Sequence, residues 1–392
     1  MRVSEKPIRE GNRFNMVSPE VYETIACPAT WWCKRNTEAS IIALSDGQLL
    51  LAYSQFYGPP YRWDVDDDFW VSRISGKISK DLGRTWSNDF TIQENDAEVN
   101  TMSPSLMRLR SGEIAVFYMK NRSFVGNDGI RMYMRKSFDE GVSWETEDCV
   151  TSTPGMAAAN DRALQLSSGR IVLPVSLVIE GRPDPTGVTW PTRIQATCIY
   201  SDDNGETWYK AEGEVDAPKR GAMEPAVVEL KDGRLLMVMR TQMGRVYQAY
   251  SDDQGGHWTK SEPMSLVAPE SCPHVKRIPT TGDLLIVFNH GFQPEADHCG
   301  RRNPISSAIS KDEGGTWENI KNVEELPYGC WEDRKGNRRE WSWSLSMPSI
   351  TFVENKTVLS YWMGLHSPGA LRIGCDYAIK VKVLDTEWFY TE

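Results

Sequence analysis

The sequence predicts an all-β protein, a six-bladed β-propeller of four-stranded antiparallel blades. Two interleaved repeats support this fold class, and no long helical stretch opposes it. An eight-residue pattern occurs five times and a strand–turn–strand pattern six times, and the two alternate along almost the whole chain. Because the repeats run nearly from end to end, we expect residues 1–392 to form a single closed domain.

The eight-residue repeat keeps Ser, Asp, Gly and Trp at offsets 0, +2, +4 and +7. Its Ser and Asp side chains can bond turn backbone, and its Gly can take a left-handed conformation without steric cost. The Trp can then fold its apolar face onto the body of the protein. We interpret the repeat as a structural hairpin turn and exclude its Asp residues from the catalytic candidates. The copies are Ser79–Trp86, Ser137–Trp144, Ser201–Trp208, Ser251–Trp258 and Ser310–Trp317.

The second repeat is a pair of short β-rich runs around a Gly turn, which is typical of a hairpin. Intervals between turn glycines are 65, 57, 64 and 49 residues, and each suits one four-stranded sheet plus a variable loop, which gives six blades. Tyr377–Leu384 and Glu387–Tyr390 are predicted as later strands of the last blade, and a strand near Val17–Thr24 as the one that closes the ring. The turns contain Gly47, Gly112, Gly169, Gly233 and Gly282, with a degenerate sixth copy at Phe352–Val358.

Composition limits the partners. The net charge of -10 and pI of about 5.2 argue against a nucleic-acid or anionic-membrane partner, so an anionic substrate would need a local group of arginines. No apolar run approaches membrane-spanning length and the N-terminus has no apolar signal region, which favours a cytoplasmic protein. A secreted protein that has lost its signal peptide would look the same. The eight cysteines lack metal-ligand spacing and are expected as free thiols, and no metal or cofactor is implied.

Register predicts which residues face the central axis at one end, the mouth of the propeller, because the first strand of each blade lines that axis. Nine residues before each turn Gly lie Glu38, Ser103, Asn160, Glu224, about Cys272 and, for the last blade, Ser346 or Met347. Seven residues after it lie Ser54, Met119, Ser176, Arg240 and Asn289. We predict a functional site where Glu38, Glu224 and Arg240 converge. Glu224 either has a chemical role with a tuned pKa or orients Arg240.

Long loops between second and third strands are expected to open at the same end, where binding residues tend to lie. The first, residues 57–68, is aromatic and acidic and carries Trp63, Asp64 and Asp66. Trp63 is a candidate to stack on a sugar. The Asp66–Asp68 run is a solvated charge run, a cation site or the source of a general acid.

With five copies of the eight-residue repeat, or boxes, and six hairpins, the whole chain resembles the sialidase superfamily, and more closely its bacterial sialidase-like BNR-repeat glycosyl hydrolases. The resemblance implies release of a terminal acidic sugar such as sialic acid from a glycan, with three arginines on the substrate carboxylate. Arg35, Arg240 and Arg302 match that set. Glu224 matches the Glu that assists a Tyr nucleophile, and Asp64 or Asp66 lies where the acid/base is expected.

The sequence departs from the family pattern at two places. Its first strand starts Arg35-Asn36-Thr37-Glu38 in place of Arg-Ile-Pro, which shifts Arg35 two residues outward. Met347-Pro348-Ser349-Ile350 stands where a Tyr is expected at the head of the last blade, and Tyr328 is the one phenol nearby that could serve as nucleophile.

Additional polar residues leave the chemistry open. Glu38 and the trio Asn160, Asp161 and Arg162 are not part of the sialidase set, and they point to a different acidic sugar or to an inverting mechanism. Three hypotheses follow: an exo-acting hydrolase of acidic sugars, the same fold acting on another glycan without a Tyr nucleophile, and a non-catalytic carbohydrate-binding propeller. All three expect a glycan as partner, and the sequence leaves the oligomeric state open.

Overall fold

The computed structural model describes residues 21–58, 67–123, 129–151, 153–183, 189–294, 300–332, 338–366 and 376–391. Within these ranges the chain is built of strands, with short 3-10 helices at Asp67–Phe69 and Thr386–Tyr390 and no α-helix. No helix in these ranges is long and apolar enough to cross a membrane. The six cysteines that they contain are free thiols.

Twenty-six strands follow one another along the described residues. The first thirteen are β1 (Val21–Cys27), β2 (Arg35–Ala43), β3 (Leu49–Phe56), β4 (Ser72–Ser79), β5 (Phe90–Gln93), β6 (Asn100–Arg108), β7 (Ile114–Asn121), β8 (Ile130–Ser137), β9 (Asp148–Cys149), β10 (Met156–Ala157), β11 (Leu164–Gln165), β12 (Ile171–Pro183) and β13 (Thr189–Ser201). The remainder are β14 (Tyr209–Lys210), β15 (Met223–Glu229), β16 (Leu235–Arg240), β17 (Arg245–Ser251), β18 (Glu262–Val267), β19 (His274–Arg277), β20 (Leu284–Asn289), β21 (Ile305–Ser310), β22 (Glu318–Glu324), β23 (Tyr328–Glu332), β24 (Arg338–Val353), β25 (Lys356–His366) and β26 (Tyr377–Asp385).

These strands form five sheets in a β-propeller arrangement. Three sheets have four strands, β6–β9, β15–β18 and β19–β22, and one of five strands is built from β10–β14. The fifth has nine: the order β23-β24-β25-β26 continues into β2-β3-β4-β5 through one parallel bridge between Arg35 and Tyr377, and β1 pairs with β26. The all-β propeller is confirmed. The predicted count of six blades is corrected, since four sheets stand as separate blades. The two ends of the chain share the remaining, nine-stranded sheet.

The chain ends differ in part from expectation. Strand β1 runs antiparallel to β26, from Val21 opposite Leu384 onward, which confirms a closing strand near the N-terminus. Residues 17–20 of the predicted strand lie outside the described residues. The strand predicted at 387–390 is wrong, since Thr386–Tyr390 is a 3-10 helix. Strand β26 already completes the meander, and the helix packs back with Phe389 buried and the Tyr390 hydroxyl donating to Asp283 Oδ2 at 2.8 Å.

Apolar side chains fill the spaces between neighbouring groups of strands. The six larger buried clusters among the described residues each join side chains from two consecutive groups of strands. One cluster lies within the nine-stranded sheet, where Leu51 of β3 and Val381 of β26 belong together. The core is therefore distributed around the axis, and burial of these faces stabilises the ring. Pairs that share a cluster are Leu50 and Val116, Phe117 and Leu173, Val172 and Met237, Val238 and Ile286, and Val287 and Leu359.

The five boxes are turns between third and fourth strands, and their side chains close the turn as predicted. In the copy after β13, Ser201 Oγ donates to Asp203 Oδ1 at 2.8 Å and accepts from the Gly205 amide at 2.8 Å. Asp203 Oδ1 also accepts from the Thr207 amide at 2.8 Å. The same three bonds recur in all five copies. Trp208 packs edge-on against Phe117 of the preceding blade, with ring centroids 5.6 Å apart.

The fourth residue of a box ties two blades together. It has positive φ in every copy, and in the four copies where it is polar its side chain hydrogen-bonds to the Gly hairpin turn of the preceding blade. Glu313 Oε2 accepts from the Lys231 amide at 2.7 Å and from Arg277 at 2.6 Å. Glu140 accepts from the Ser45 amide at 2.9 Å in the same way. The boxes are therefore clasps between blades, which supports their exclusion from the chemistry.

Candidate functional site

Bulges in four of the strands that line the axis turn three polar side chains and one methionine toward it. The pairing register shifts by one residue at this point in β2, β6, β15 and β24. Each shift contains a non-glycine residue in the left-handed region, which costs about 1–3 kcal/mol and marks a constrained position. These residues are Glu38 (φ 59°), Ser103 (φ 58°), Glu224 (φ 46°) and Met347 (φ 55°), and Asp161 (φ 58°) precedes β11.

Glu38 is a buried carboxylate shared by two groups of strands. Its Oε2 accepts from Ser54 Oγ at 2.8 Å and from Ser103 Oγ at 2.9 Å. Burial raises the pKa of Glu38, and the charge of Arg35 offsets this only in part. The predicted approach of Glu38 to Ser54 and Ser103 is therefore present, and Glu38 holds a proton to higher pH than an ordinary Glu.

Arg35 begins β2 and is buried at 6% exposure. Its Nη2 donates to Asp68 Oδ1 at 2.5 Å and lies 4.0 Å from Glu38 Oε1. The guanidinium stands 4.2 Å from the Phe56 ring and 5.7 Å from the Tyr377 ring. The first loop thus contributes Asp68 to the mouth, whereas Trp63, Asp64 and Asp66 lie outside the described residues.

Glu224 and Arg240 form the second side of the mouth. Arg240 Nη1 lies 3.0 Å from both Oε1 and Oε2 of Glu224, and the Glu224 amide donates to Ser176 Oγ at 2.8 Å. Burial alone would raise the pKa of Glu224, but the charges of Arg240, Arg302 and Arg162 outweigh it and hold the pKa below its usual value. Glu224 is therefore ionised near neutral pH, and one quarter of its side chain is exposed to solvent.

A further carboxylate, Glu270, holds this side together, and the sequence prediction missed it. It is fully buried and accepts from Arg240 Nη2 at 3.1 Å, from Arg220 Nη1 at 3.0 Å and from Gln242 Nε2 at 3.0 Å. Arg302 Nη2 lies 3.5 Å from its backbone oxygen. The count from the turn glycine fell on Cys272, two residues after Glu270. A carboxylate so close before the first strand of its blade was the signal that could have identified it.

The trio Asn160, Asp161 and Arg162 is buried. Asn160 Nδ2 donates to the backbone oxygens of Ala39 and Met347, so it links first strands around the axis. Asp161 Oδ2 accepts from Lys276 Nζ at 2.8 Å and from the Ile350 amide at 3.0 Å. In blade β10–β14 the left-handed residue is Asp161, one position beyond the predicted Asn160.

Both sides of the mouth meet at a small buried cluster. Tyr377, which faces Arg35, packs with Cys272, and Cys272 Sγ lies 2.6 Å from Arg162 Nη2. Met347 belongs to the same cluster, so the register position where a Tyr was sought holds a thioether. The cluster comprises Ala159, Cys272, Met347, Trp362 and Tyr377.

Tyr328 does not join the buried carboxylates. It lies on β23 with 56% exposure, and the Arg301 guanidinium stands 4.5 Å from its ring. No hydrogen bond joins it to Glu224 in the part of the chain that the structure describes. In that part, no group of three His, Cys, Asp or Glu side chains could hold a metal ion.

The repeats and the propeller arrangement agree with the comparison to known families. A family model described as BNR repeat-like domain matches residues 66–361. The chain belongs to this family. Curated relatives of this BNR-repeat protein include a sialidase from Paraclostridium sordellii, which is 27% identical over 260 residues. That match covers 60% of each of the two chains.

Solved structures show the same fold for this sialidase-like BNR-repeat protein. A protein of unknown function from Dyadobacter fermentans superposes with a TM-score of 0.68 at 18% identity, covering 93% of this chain and 99% of that one. The NanB sialidase from Streptococcus pneumoniae superposes with a TM-score of 0.66 at 14% identity, covering 92% of this chain and 70% of that one. At these identities the likeness concerns the fold.

Proposed function

We propose that this protein is a sialidase-like exo-glycoside hydrolase that releases a terminal acidic sugar from a glycan. The observation that carries the proposal is the ionised Glu224, held in a two-oxygen contact by Arg240 and within the fields of Arg302 and Arg162. Guanidinium groups match the geometry of a carboxylate, so this side of the mouth suits the acid group of a sugar. The family membership and the sialidase relatives support the same class.

The two carboxylates of the mouth have opposite environments, which suits a division of labour. Glu224, whose pKa is lowered, stabilises positive charge that develops on the sugar ring. Glu38, whose pKa is raised, holds its proton to higher pH than an ordinary Glu and is the donor to the leaving oxygen in this proposal. Asp64 or Asp66 of the first loop remains the alternative acid, as the sialidase resemblance implies.

A second candidate is the same fold acting on a different glycan without a Tyr nucleophile. The position of Met347 in the small buried cluster with Cys272 and Tyr377 and the exposure of Tyr328 favour it. Two carboxyl groups that flank a water would give inversion, whereas a nucleophile would give retention. Proton NMR of the first-formed anomer separates the two courses.

The experiment is an assay of fluorogenic aryl glycosides, including the α-sialoside, with matched variants on one strand. Glu224→Gln should lower turnover on the order of 100-fold or more. Glu229→Gln, at the opposite end of β15, should leave turnover unchanged. Cleavage of another glycoside with silence on the α-sialoside supports the second candidate. Saturable glycan binding with no product from any substrate would contradict both and favour a carbohydrate-binding propeller.

The same proposal counts the nine-stranded sheet as two blades, which gives six around the axis. In support, β2–β5 and β23–β26 are separate antiparallel meanders that meet at one bridge. Six apolar clusters lie between consecutive groups of strands, and one of them lies between these two meanders. A crystal structure in which the bridge opens while the cluster stays packed would support this count, whereas one continuous ladder along β26 and β2 would contradict it.

A further inference from the structure

A second cavity lies along the axis, beyond the mouth. The first strands of three neighbouring blades line it, and Val227 and Val228 in its wall lie further along β15 than Glu224. Its polar lining comprises Asp161, Arg162, His274, Lys276 and Arg277. Lys276 and Arg277 are partly exposed, at 31% and 24% of their side chains, so solvent reaches this end of the axis.

Arg162 is a buried charge that makes no direct ion pair with a described residue, although its field reaches Glu224. It is 2% exposed, and its Nη2 donates to Cys272 Sγ at 2.6 Å and to the Pro273 oxygen at 3.1 Å. Its Nε and Nη1 have no hydrogen-bond partner there. Burial raises the pKa of the Cys272 thiol to about 12, so this thiol is neutral and does not balance the guanidinium. A buried unpaired guanidinium is costly, and an anion in the cavity would remove that cost.

His274 supplies an acceptor that also lacks a partner. Burial, together with the charge of Arg162, lowers the pKa of His274 to about 3, so the ring is neutral. Burial would raise the pKa of Asp161, but the charge of Lys276 and the hydrogen bond from His274 outweigh it and lower that pKa. Asp161 therefore stays ionised and can only accept hydrogen bonds. His274 Nε2, 3.0 Å from Asp161 Oδ2, therefore carries the proton. Nδ1 is left as a buried lone pair, and no described group donates to it.

We propose that this axial cavity binds a small oxyanion that itself carries a proton, of the hydrogen phosphate class. Its oxygens accept from Arg162 Nε and Nη1, and its hydroxyl donates to His274 Nδ1. Lys276 Nζ has three donors, two of which bond Asp161 and the Ile350 oxygen, so the third can reach the anion. A fully deprotonated oxyanion of the same size offers His274 no proton. The site differs from the mouth and does not depend on the proposed hydrolase activity.

The test is isothermal titration of the whole protein with phosphate and with sulfate near pH 7 at constant ionic strength. We expect saturable 1:1 binding of phosphate, at least about tenfold tighter than sulfate, because sulfate is of similar size and has no proton at this pH. Lys276→Gln should weaken phosphate binding about tenfold or more. Arg240→Lys, at the mouth, should leave the phosphate affinity within about twofold.

Three results would overturn the proposal: no saturable heat with phosphate, equal affinity for sulfate and phosphate, or loss of phosphate binding in Arg240→Lys while Lys276→Gln still binds. The phosphate-to-sulfate ratio is measured on the unaltered protein, so it does not depend on whether a variant folds. A protein that binds phosphate but cleaves no glycoside would sink the hydrolase proposal alone, and the reverse result would sink this one alone.

Discussion

Arg240 Nη1 lies 3.0 Å from both carboxylate oxygens of Glu224. Its Nη2 lies 3.1 Å from Glu270, so one guanidinium joins the first and second strands of its blade to the segment before β19. Glu224 has a left-handed φ, and its contact with the Arg240 guanidinium fixes the position of its carboxylate. The same contact lowers the pKa of Glu224 and places positive charge at the mouth.

Replacement of the Arg240 guanidinium by an ammonium group should impair recognition of an acidic sugar. Arg240→Lys keeps the charge but loses the planar geometry, so we expect kcat/KM to fall on the order of 10- to 100-fold, mainly through KM. Steady-state kinetics on the fluorogenic substrate measures this. Arg234→Lys, on the turn before β16, is the matched control and should match the unaltered protein. An unchanged KM in Arg240→Lys would remove Arg240 from substrate binding.

The raised pKa of Glu38 predicts a pH dependence. If its protonated form is the proton donor, kcat/KM falls as pH rises through that raised pKa, and Glu38→Gln removes this fall while lowering the maximum rate. A pH profile from about 4 to 9 tests it. Survival of the same descending limb in Glu38→Gln would assign the proton to another group, with Asp64 and Asp66 the next candidates.

The inter-blade clasp at Glu313 should contribute to stability. Hydrogen bonds from Arg277 lower the pKa of Glu313 to about 2 in the folded protein. Because a depressed carboxyl pKa stabilises the fold only while the group is ionised, the contribution is present above the unfolded pKa and is lost as pH falls toward 2. Glu313→Gln should lower the free energy of unfolding by about 1–3 kcal/mol at pH 7, and by less near pH 3.

Urea titration at both pH values measures the effect of Glu313→Gln. Glu318→Gln is a suitable control, because its pair with Lys311 is about half exposed and should change stability by less than about 0.5 kcal/mol. Equal losses of unfolding free energy in the two variants would show that the contacts of Glu313 stabilise the fold no more than an exposed ion pair does.

Replacement of a box glycine by alanine should lower thermal stability more than replacement of a hairpin-turn glycine. A Cβ on Gly205, at φ 91°, would stand 3.0 Å from Met134 Cε, whereas a Cβ on Gly169, at φ 98°, meets nothing within 4 Å. Both alanine variants carry about 1 kcal/mol or more of backbone strain, and Gly205→Ala adds a crowded contact. Thermal unfolding should therefore place Gly205→Ala below Gly169→Ala, with KM unchanged in both. The opposite order would contradict the packing assigned to the box.

The register of the inner strands could be predicted because the boxes and the turn glycines recur along the chain and mark the ends of the strands. The count reached Glu38, Ser103 and Glu224, which are the residues that the bulges turn toward the axis. It fell one residue short at Asp161, because the inner strand of that blade is broken into β10 and β11 and Asp161 lies between the two pieces. It also passed Glu270, which precedes its strand and whose buried position depends on Arg240 and Arg220 from other segments.

The blade count and the end of the chain depended on contacts that local pattern does not encode. One bridge between Arg35 and Tyr377 merges the first and last meanders into one sheet. The apolar residues of 386–390 suit a strand equally well, yet they fold as a 3-10 helix because Phe389 is buried against the body. Tyr377 reaches the small buried cluster of Cys272 and Met347 from β26, a strand that the count did not consider.

The central claim is that the arginine-rich side of the mouth recognises the carboxylate of an acidic sugar. The most direct measurement is the ratio of kcat/KM for a fluorogenic α-sialoside and for its methyl ester, which removes the charge and keeps the sugar. We expect a ratio on the order of 100 in the unaltered protein and a ratio that falls toward 1 in Arg240→Lys. Equal cleavage of acid and ester by the unaltered protein, or cleavage of neither, would contradict it.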